Sequence, residues 1–165
     1  MEQPRLVCPG CGIQIYSDLE GLDRDFNASN SCRSLFYDLS YYTLSLRDSF
    51  FIHQLAVDAY AAQHSGERVK PIATTFALVG LFLVNERNYT GKQVQNAHMA
   101  LAKKSKVWPN FSAPQDKAWL TVWDVTQSPN EERQGMIKKW NQSAWALWLP
   151  EKENVAALLK RYLDL

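Results

Sequence analysis

Two cysteines near the N-terminus constrain this chain more than any other feature. They lie in the run Cys8-Pro9-Gly10-Cys11-Gly12, where a tight turn is expected. Cysteine pairs at this spacing, followed by glycine, are typical of zinc knuckles, because the turn directs both thiolates at one point. A tetrahedral site needs four ligands, so the pattern predicts that further cysteine or histidine side chains complete it.

The remaining cysteine and the histidines supply candidates for the missing ligands. Cys32 is the third cysteine, and the chain has three histidines, His53, His64 and His98. Thiol redox chemistry is the alternative use of such a cysteine pair, with the first thiolate at the N-terminus of a helix. The proline and glycines that follow Cys8 oppose a helix there, and no βαβ pattern surrounds the pair. Metal binding is therefore the favoured interpretation.

Composition is typical of one globular domain. The chain has 165 residues, a length at which roughly two thirds of the unfolded surface can be buried, so a true core is expected. Lysine and arginine total 18 and aspartate and glutamate total 17, a balance that disfavours nucleic acid as a partner. Three cysteines, two of them too close for an ordinary structural bridge, disfavour a disulfide framework and favour reduced thiols.

No segment of the sequence predicts export or membrane insertion. The first seven residues contain two charges and a proline without a sustained apolar run, so no signal peptide is expected. The longest apolar run, residues 72–84, is shorter than the ~20 residues that span a bilayer. We therefore expect a cytoplasmic protein without membrane contact, whose partner is an unidentified protein or small molecule.

Turn-forming residues dominate the first part of the chain, and helical periodicity dominates the rest. Residues 4–31 show no sustained period and are rich in turn formers. From residue 32 onward, apolar residues recur at the spacing of amphipathic helices. Helices are predicted over about residues 32–46, 49–64, 71–86, 90–104, 129–149 and 151–163, with one short turn over 121–127.

The predicted fold is therefore all-α. A single domain (1–165) is expected, in which a loop-rich zinc-knuckle lobe (1–31) joins a helical bundle (32–165) of about five to six helices. Asn30 or Ser31 is available to cap the first helix, and Ser128 with Glu131 predicts a capping box at the fifth. Gly80 lies inside the third helix, where it costs up to ~1 kcal/mol relative to alanine, and it predicts a close helix crossing.

Helix geometry decides between the histidines as the fourth ligand. His53 and His64 differ by three helical turns and lie ~16 Å apart on one helix face, so they cannot share an ion. A short turn near Arg47 predicts that the first two helices run antiparallel, which brings Cys32 opposite the region around Ala62. His64 is therefore preferred over His53, and the predicted metal ligands are Cys8, Cys11, Cys32 and His64.

Three thiolates and one neutral imidazole form a closed tetrahedral set that suits Zn(II), with iron as the alternative from ligand type. Such sets usually stabilise structure, so we predict a zinc-binding protein with a binding or adaptor role. The main alternative is a metal-dependent hydrolase or transferase in which His53 meets His98 and a carboxylate between helices. The more common role of such a histidine is a hydrogen-bonded core residue. Nucleic-acid binding through the knuckle is a third, weaker candidate.

Six tryptophans lie in the C-terminal half of the chain. Trp140 and Trp148 share a helical stripe with Ile137, which predicts core packing rather than a ligand pocket. The basic run 103–106 lies beside Trp108 and could touch phosphates while the ring stacks on a base. With a net charge of +1, a solvated helix end is the preferred interpretation of that run.

The segment HQLAVDAYAAQH, residues 53–64, read together with the CPGCG start and Cys32, resembles a family of small bacterial proteins of unknown function. The resemblance covers most of the chain, including the helix around Gly80 and residues 120–122 and 140–148. It implies no particular activity, since none is assigned to the family. It does imply a cysteine and histidine cluster at Cys8, Cys11, Cys32, His53 and His64.

Overall fold

The structure is a computed structural model that describes residues 6–104 and 107–165. Six long helices and one short helix occur within these ranges, which confirms the all-α prediction. They are α1 (Asn30–Ser45), α2 (Ile52–Gln63), α3 (Pro71–Arg87), α4 (Gly91–Lys104), α5 (Val122–Gln127), α6 (Asn130–Trp148) and α7 (Lys152–Leu163). A 3₁₀ turn (Leu149–Glu151) joins α6 to α7. The predicted basic run lies partly outside the described residues, at positions 105 and 106.

Two central helices organise the bundle. α2 packs against α1, α3, α4 and α6, and α3 packs against α2, α4, α6 and α7. The predicted core role of Trp140 and Trp148 is confirmed, and Trp145 is buried as well, whereas Trp119 is 93% exposed. In the part of the chain that the structure describes, no helix has the length and apolar character needed to cross a bilayer.

The described part of the N-terminal lobe that precedes α1 contains no helix and no extended strand. Among its described residues, the only sheet-like pairings are isolated bridges of Val7 with Gln14 and of Leu22 with Ser29. Its cysteines are buried and belong to the same hydrophobic cluster as the helix side chains. The lobe is therefore packed onto the bundle through its cysteines.

Ser29 caps α1, so the prediction that Asn30 or Ser31 would do so was wrong by one or two positions. The Ser29 hydroxyl accepts a hydrogen bond from the backbone N–H of Cys32 at 3.1 Å. An N-cap side chain bonds the amide two or three positions further on, and Ser29 satisfies this at the third. The cap therefore holds Cys32 in the first turn of the helix.

The start of α6 also differs from its prediction. Ser128 forms no capping box with Glu131, because its hydroxyl donates to the carbonyl oxygen of Asp124 at 2.8 Å. That bond belongs to the end of α5, and α6 begins at Asn130 with Pro129 in the cap position. Serine side chains commonly bond a carbonyl four positions back, and here that local bond replaces the predicted cap.

The crossing of α2 and α3 joins a glycine to a buried carboxyl group. A Cβ atom on Gly80 would lie 1.8 Å from Oδ2 of Asp58, which confirms the predicted close crossing. Asp58 is 2% exposed, and its Oδ1 accepts a hydrogen bond from Gln54 Nε2 at 3.1 Å. Its Oδ2 has no hydrogen-bond partner among the described residues. Burial raises the pKa of Asp58 well above its ordinary value.

Candidate metal centre

Cys8, Cys11, Cys32 and His64 lie together in one buried cluster. Their candidate ligand atoms are all within 4.8 Å of one another. Cys32 Sγ lies 3.8 Å from Cys11 Sγ and 3.3 Å from His64 Nε2. A tetrahedron with Zn–S bonds of about 2.3 Å and Zn–N bonds of about 2.0–2.1 Å has edges of about 3.6–3.8 Å. The structure thus brings the four predicted residues to a spacing that suits one ion.

The turn after Cys8 places the first two thiols. The backbone N–H of Gly12 donates a hydrogen bond to the carbonyl oxygen of Cys8 at 2.8 Å. The backbone N–H of Cys8 donates to the carbonyl oxygen of Ile13 at 2.9 Å. Gly12 has a φ of +82°, in the left-handed region that favours glycine. The glycine after the second cysteine therefore allows the chain to reverse while both thiols stay on the inside.

The α1–α2 hairpin places the other two candidate ligands. Thr43 Oγ1 lies 2.8 Å from His53 Nδ1 near the turn, and Cys32 meets His64 at the open end. The two contacts are eleven positions apart on both sides of the hairpin, so the helices run antiparallel as predicted, with a register two positions from the predicted pairing of Cys32 with Ala62. As a result, His64 reaches the cysteines, whereas His53 bonds a side chain of α1.

The imidazole of His64 is oriented as a metal ligand requires. Its Nδ1 lies 2.7 Å from the carbonyl oxygen of Tyr60, which can only accept a hydrogen bond, so Nδ1 carries the proton. As a metal ligand, the ring would present the Nε2 lone pair to the cysteines, and Nε2 lies 3.3 Å from Cys32 Sγ. Tyr60 also stacks on the ring, with centroids 3.9 Å apart, and its hydroxyl donates to Cys32 Sγ at 3.5 Å.

The lobe and α2 meet so closely that only glycine fits between them. A Cβ atom on Gly10 would lie 2.5 Å from Cδ2 of His64 and 2.4 Å from the carbonyl oxygen of Asn27. The backbone N–H of Asn27 donates to the carbonyl oxygen of His64 at 2.9 Å. These contacts lock the knuckle turn against the imidazole, which supports the fit of the four residues to a common ion.

Sequence reasoning missed Lys117, which contacts the knuckle from the connection between α4 and α5. Its Nζ donates to the carbonyl oxygens of Pro9 at 2.6 Å and Gly10 at 2.9 Å. Gln63 Nε2 donates to the carbonyl oxygen of Leu120 at 2.8 Å and holds the same connection against α2. No sequence pattern marks Lys117, because its partners lie 107 and 108 positions away along the chain.

The three thiols lie too close to ionise together without a cation. Hydrogen bonds from Cys11 and Cys32 lower the pKa of Cys8, whereas hydrogen bonds with Cys11 and Cys8, together with burial, raise the pKa of Cys32. Metals bind the thiolate form. A divalent cation among the sulfur atoms would offset their negative charges. Cysteine sulfur and histidine nitrogen are also the ligand atoms that zinc prefers.

His53 and His98 each form hydrogen bonds within the helical body and belong to no described cluster of three or more candidate metal ligands. Across residues 6–104 and 107–165, only the cluster described above has three or more candidate ligands at metal spacing. His98 Nε2 lies 2.8 Å from the carbonyl oxygen of Phe76, and its Nδ1 lies 3.4 Å from Gln54 Nε2. Burial lowers the pKa of His53 and lowers that of His98 to about 4, so both rings favour the neutral form. The structure therefore places His53 in a hydrogen-bonded, half-buried position.

The fold and the cluster define a helical protein whose N-terminal lobe meets a helical hairpin at a buried Cys₃His group. The chain belongs to the DUF5946 family, a family of unknown function whose model matches residues 6–149. The matched range contains all four clustered residues and extends through α6, which confirms the family resemblance of the sequence. Comparisons with curated proteins and with solved structures find no match.

Proposed function

We propose that the chain binds one Zn(II) ion through Cys8, Cys11, Cys32 and His64. The observation that carries this proposal is the buried cluster, whose four candidate ligand atoms lie within 4.8 Å of one another and include His64 Nε2, 3.3 Å from Cys32 Sγ. The four side chains are between 0 and 5% exposed, so the ligand set is closed. Zinc bound by four protein ligands supplies folding free energy rather than an activated water. The ion would join the lobe to the α1–α2 hairpin.

We propose a binding or adaptor role for this zinc-stabilised protein. A closed ligand set supports such a role better than catalysis, which needs an open coordination position. The alternative hydrolase requires His53 and His98 to share a site, and their hydrogen bonds connect them to Thr43 and to Phe76 instead. Three free cysteines also favour a reducing compartment, so we place the protein in the cytoplasm.

Two histidine substitutions, one at each end of α2, test the ligand set. His64→Ala removes the nitrogen ligand at the C-cap of α2, whereas His53→Ala removes the histidine of its first turn that hydrogen-bonds Thr43. We expect wild-type protein and His53→Ala to contain one equivalent of zinc and His64→Ala to contain much less. Elemental analysis and competition with a chromophoric chelator measure this directly. Full zinc content in His64→Ala, or equal loss in both variants, would contradict the proposed ligand set.

Removal of the Tyr60 hydroxyl tests the hydrogen bond to the cluster. Tyr60→Phe keeps the ring that stacks on His64 but deletes the donor to Cys32 Sγ. Partners that orient metal ligands typically contribute 10-fold to 100-fold to metal affinity, so we expect the zinc dissociation constant to rise about tenfold. Tyr42→Phe is the matched control, since that hydroxyl donates to Asn130 away from the cluster. Equal zinc affinities of the two variants would show that the Tyr60 hydroxyl does not act on the thiolate.

A further inference from the structure

A groove of about 750 Å³ lies between α7 and the irregular segment 107–112. Trp108 and Phe111 line it from the segment, and Leu158 and Tyr162 line it from α7. None of the four proposed zinc ligands borders this groove. Small-molecule sites typically have volumes of about 300–1,000 Å³ and mostly apolar walls with a few polar groups, and this groove matches both properties.

The apolar wall of the groove is supported by the helical body. The Trp108 ring packs edge-on against Phe76, with centroids 5.2 Å apart, and Phe76 packs in the same way against His98 at 5.0 Å. Leu158 is 8% exposed. Because neighbouring side chains fix the Trp108 ring and Leu158, the surface is formed before a ligand binds. Ordering it would therefore reduce the binding free energy only slightly.

Arg161 gives the groove a positive charge. Its guanidinium lies 5.3 Å from the centroid of the Tyr162 ring, and it forms no ion pair with any described carboxylate. The neighbouring Lys160, in contrast, is paired with Asp164 at 2.6 Å. Arg161 is therefore available to an anion, whereas the adjacent cation is already neutralised.

Glu151 is the one acidic side chain among the described residues that line the groove. It accepts a hydrogen bond from Asn154 Nδ2 at 2.8 Å at the start of α7. Ten helical positions separate it from Arg161, which corresponds to about 15 Å along the axis. That distance exceeds the Debye length of about 8 Å at physiological ionic strength, so Glu151 opposes an anion at Arg161 only weakly.

We propose that this groove binds a small aromatic carboxylate. The aromatic ring of the ligand lies against Trp108, and its carboxylate binds the guanidinium of Arg161. Guanidinium groups bind carboxylates through two parallel hydrogen bonds, which gives both affinity and orientation. Offset or edge-on contact between aromatic rings adds to the burial of the apolar body. The groove thus assigns a small-molecule site that is separate from the zinc centre.

Paired probes test the charge and the ring separately. We expect the zinc-loaded protein to bind 3-phenylpropionate about tenfold more tightly than its neutral isostere 3-phenylpropanamide, measured by calorimetric titration. Arg161→Gln should remove this difference, and Lys160→Gln, the matched control, should leave it intact. Trp108→Ala should weaken both probes. In wild-type protein, NMR should show the indole N–H of Trp108 shifting with both probes and the Nε–H of Arg161 shifting with the carboxylate alone.

Three results would overturn the proposal. One is the absence of saturable binding of 3-phenylpropionate up to about 10 mM, about tenfold above the 1 mM dissociation constant of a very weak ligand. Another is equal affinity for the acid and the amide. The third is an unchanged preference for the acid in Arg161→Gln. If a substituted protein fails to fold, the NMR shifts of Trp108 and Arg161 in the wild-type protein decide the question.

Discussion

Replacing Cys32 by serine is expected to release zinc and to detach the N-terminal lobe. The Cys32 sulfur lies within 3.8 Å of Cys11 Sγ, His64 Nε2 and the Tyr60 hydroxyl, so it connects both parts of the site. A serine hydroxyl is not ionised at neutral pH and is a poor replacement for a soft thiolate ligand. Structural zinc binds zinc-finger peptides with about 10–16 kcal/mol, so its loss is a large effect for a lobe that lacks helices.

The loss of zinc should destabilise the N-terminal lobe more than the helical bundle. We expect Cys32→Ser to lose hydrogen-exchange protection at the amides of Cys8 and Asn27, whose bonds join the lobe to itself and to His64. Amides of α3, in the centre of the bundle, should remain protected. A loss of about 5 kcal/mol or more would lower the melting temperature by at least about 10 °C for a chain of this size.

Chelation of the wild-type protein provides the control for that experiment. Zinc removal should reproduce the Cys32→Ser exchange pattern, and added zinc should restore protection in the wild-type protein but not in the variant. Normal zinc content in Cys32→Ser would contradict the ligand assignment. Unchanged lobe protection after complete zinc removal would instead show that the ion binds without stabilising the lobe.

The meeting of Cys32 and His64 could be predicted because it depends on short-range geometry. A brief turn between two helices fixes their antiparallel register, and the register decides which histidine faces the cysteine. Tyr60 lies four positions before His64, on the same helix face, so its stacking also had a sequence signal. The hydrogen bond of its hydroxyl to Cys32 had none, because it depends on the exact separation of α1 and α2.

Other parts of the structure depend on long-range packing that no local pattern records. Lys117 reaches the knuckle from a connection without periodicity, so its role could only be seen in the fold. The Ser128 hydroxyl could cap α6 or bond the preceding turn, and in the structure it donates to the carbonyl oxygen of Asp124 instead of forming the predicted cap. Gly80 indicated a close crossing, but its partner Asp58 depends on the register between α2 and α3.

Replacing Gly80 by alanine is expected to destabilise the protein by about 3 kcal/mol. The new methyl carbon would lie 1.8 Å from Oδ2 and 2.4 Å from Cγ of Asp58, far inside van der Waals contact. α2 and α3 would have to separate along their shared interface, and overpacking of this kind typically costs 1–3 kcal/mol and occasionally more. Urea unfolding of the zinc-loaded protein measures the change. Gly135→Ala is the matched control, since no atom beyond its chain neighbours and the backbone of its own helix lies within 4 Å of its Cβ position, and it should stabilise α6 by up to about 1 kcal/mol.

A second substitution shows whether the Asp58 side chain causes the effect. All three atoms closest to the Gly80 Cβ position belong to that side chain, so Asp58→Ala opens space for the methyl group. Asp58→Ala alone loses the hydrogen bond from Gln54, but it also removes a buried carboxyl group with a raised pKa. Keeping that group neutral costs folding free energy that grows as the pH rises above the ordinary pKa of aspartate. We therefore expect Gly80→Ala to cost less than about 1 kcal/mol in the Asp58→Ala background, an interaction energy of about 2 kcal/mol. Additive effects would mean that the methyl group is excluded by the helix backbones rather than by the carboxyl group.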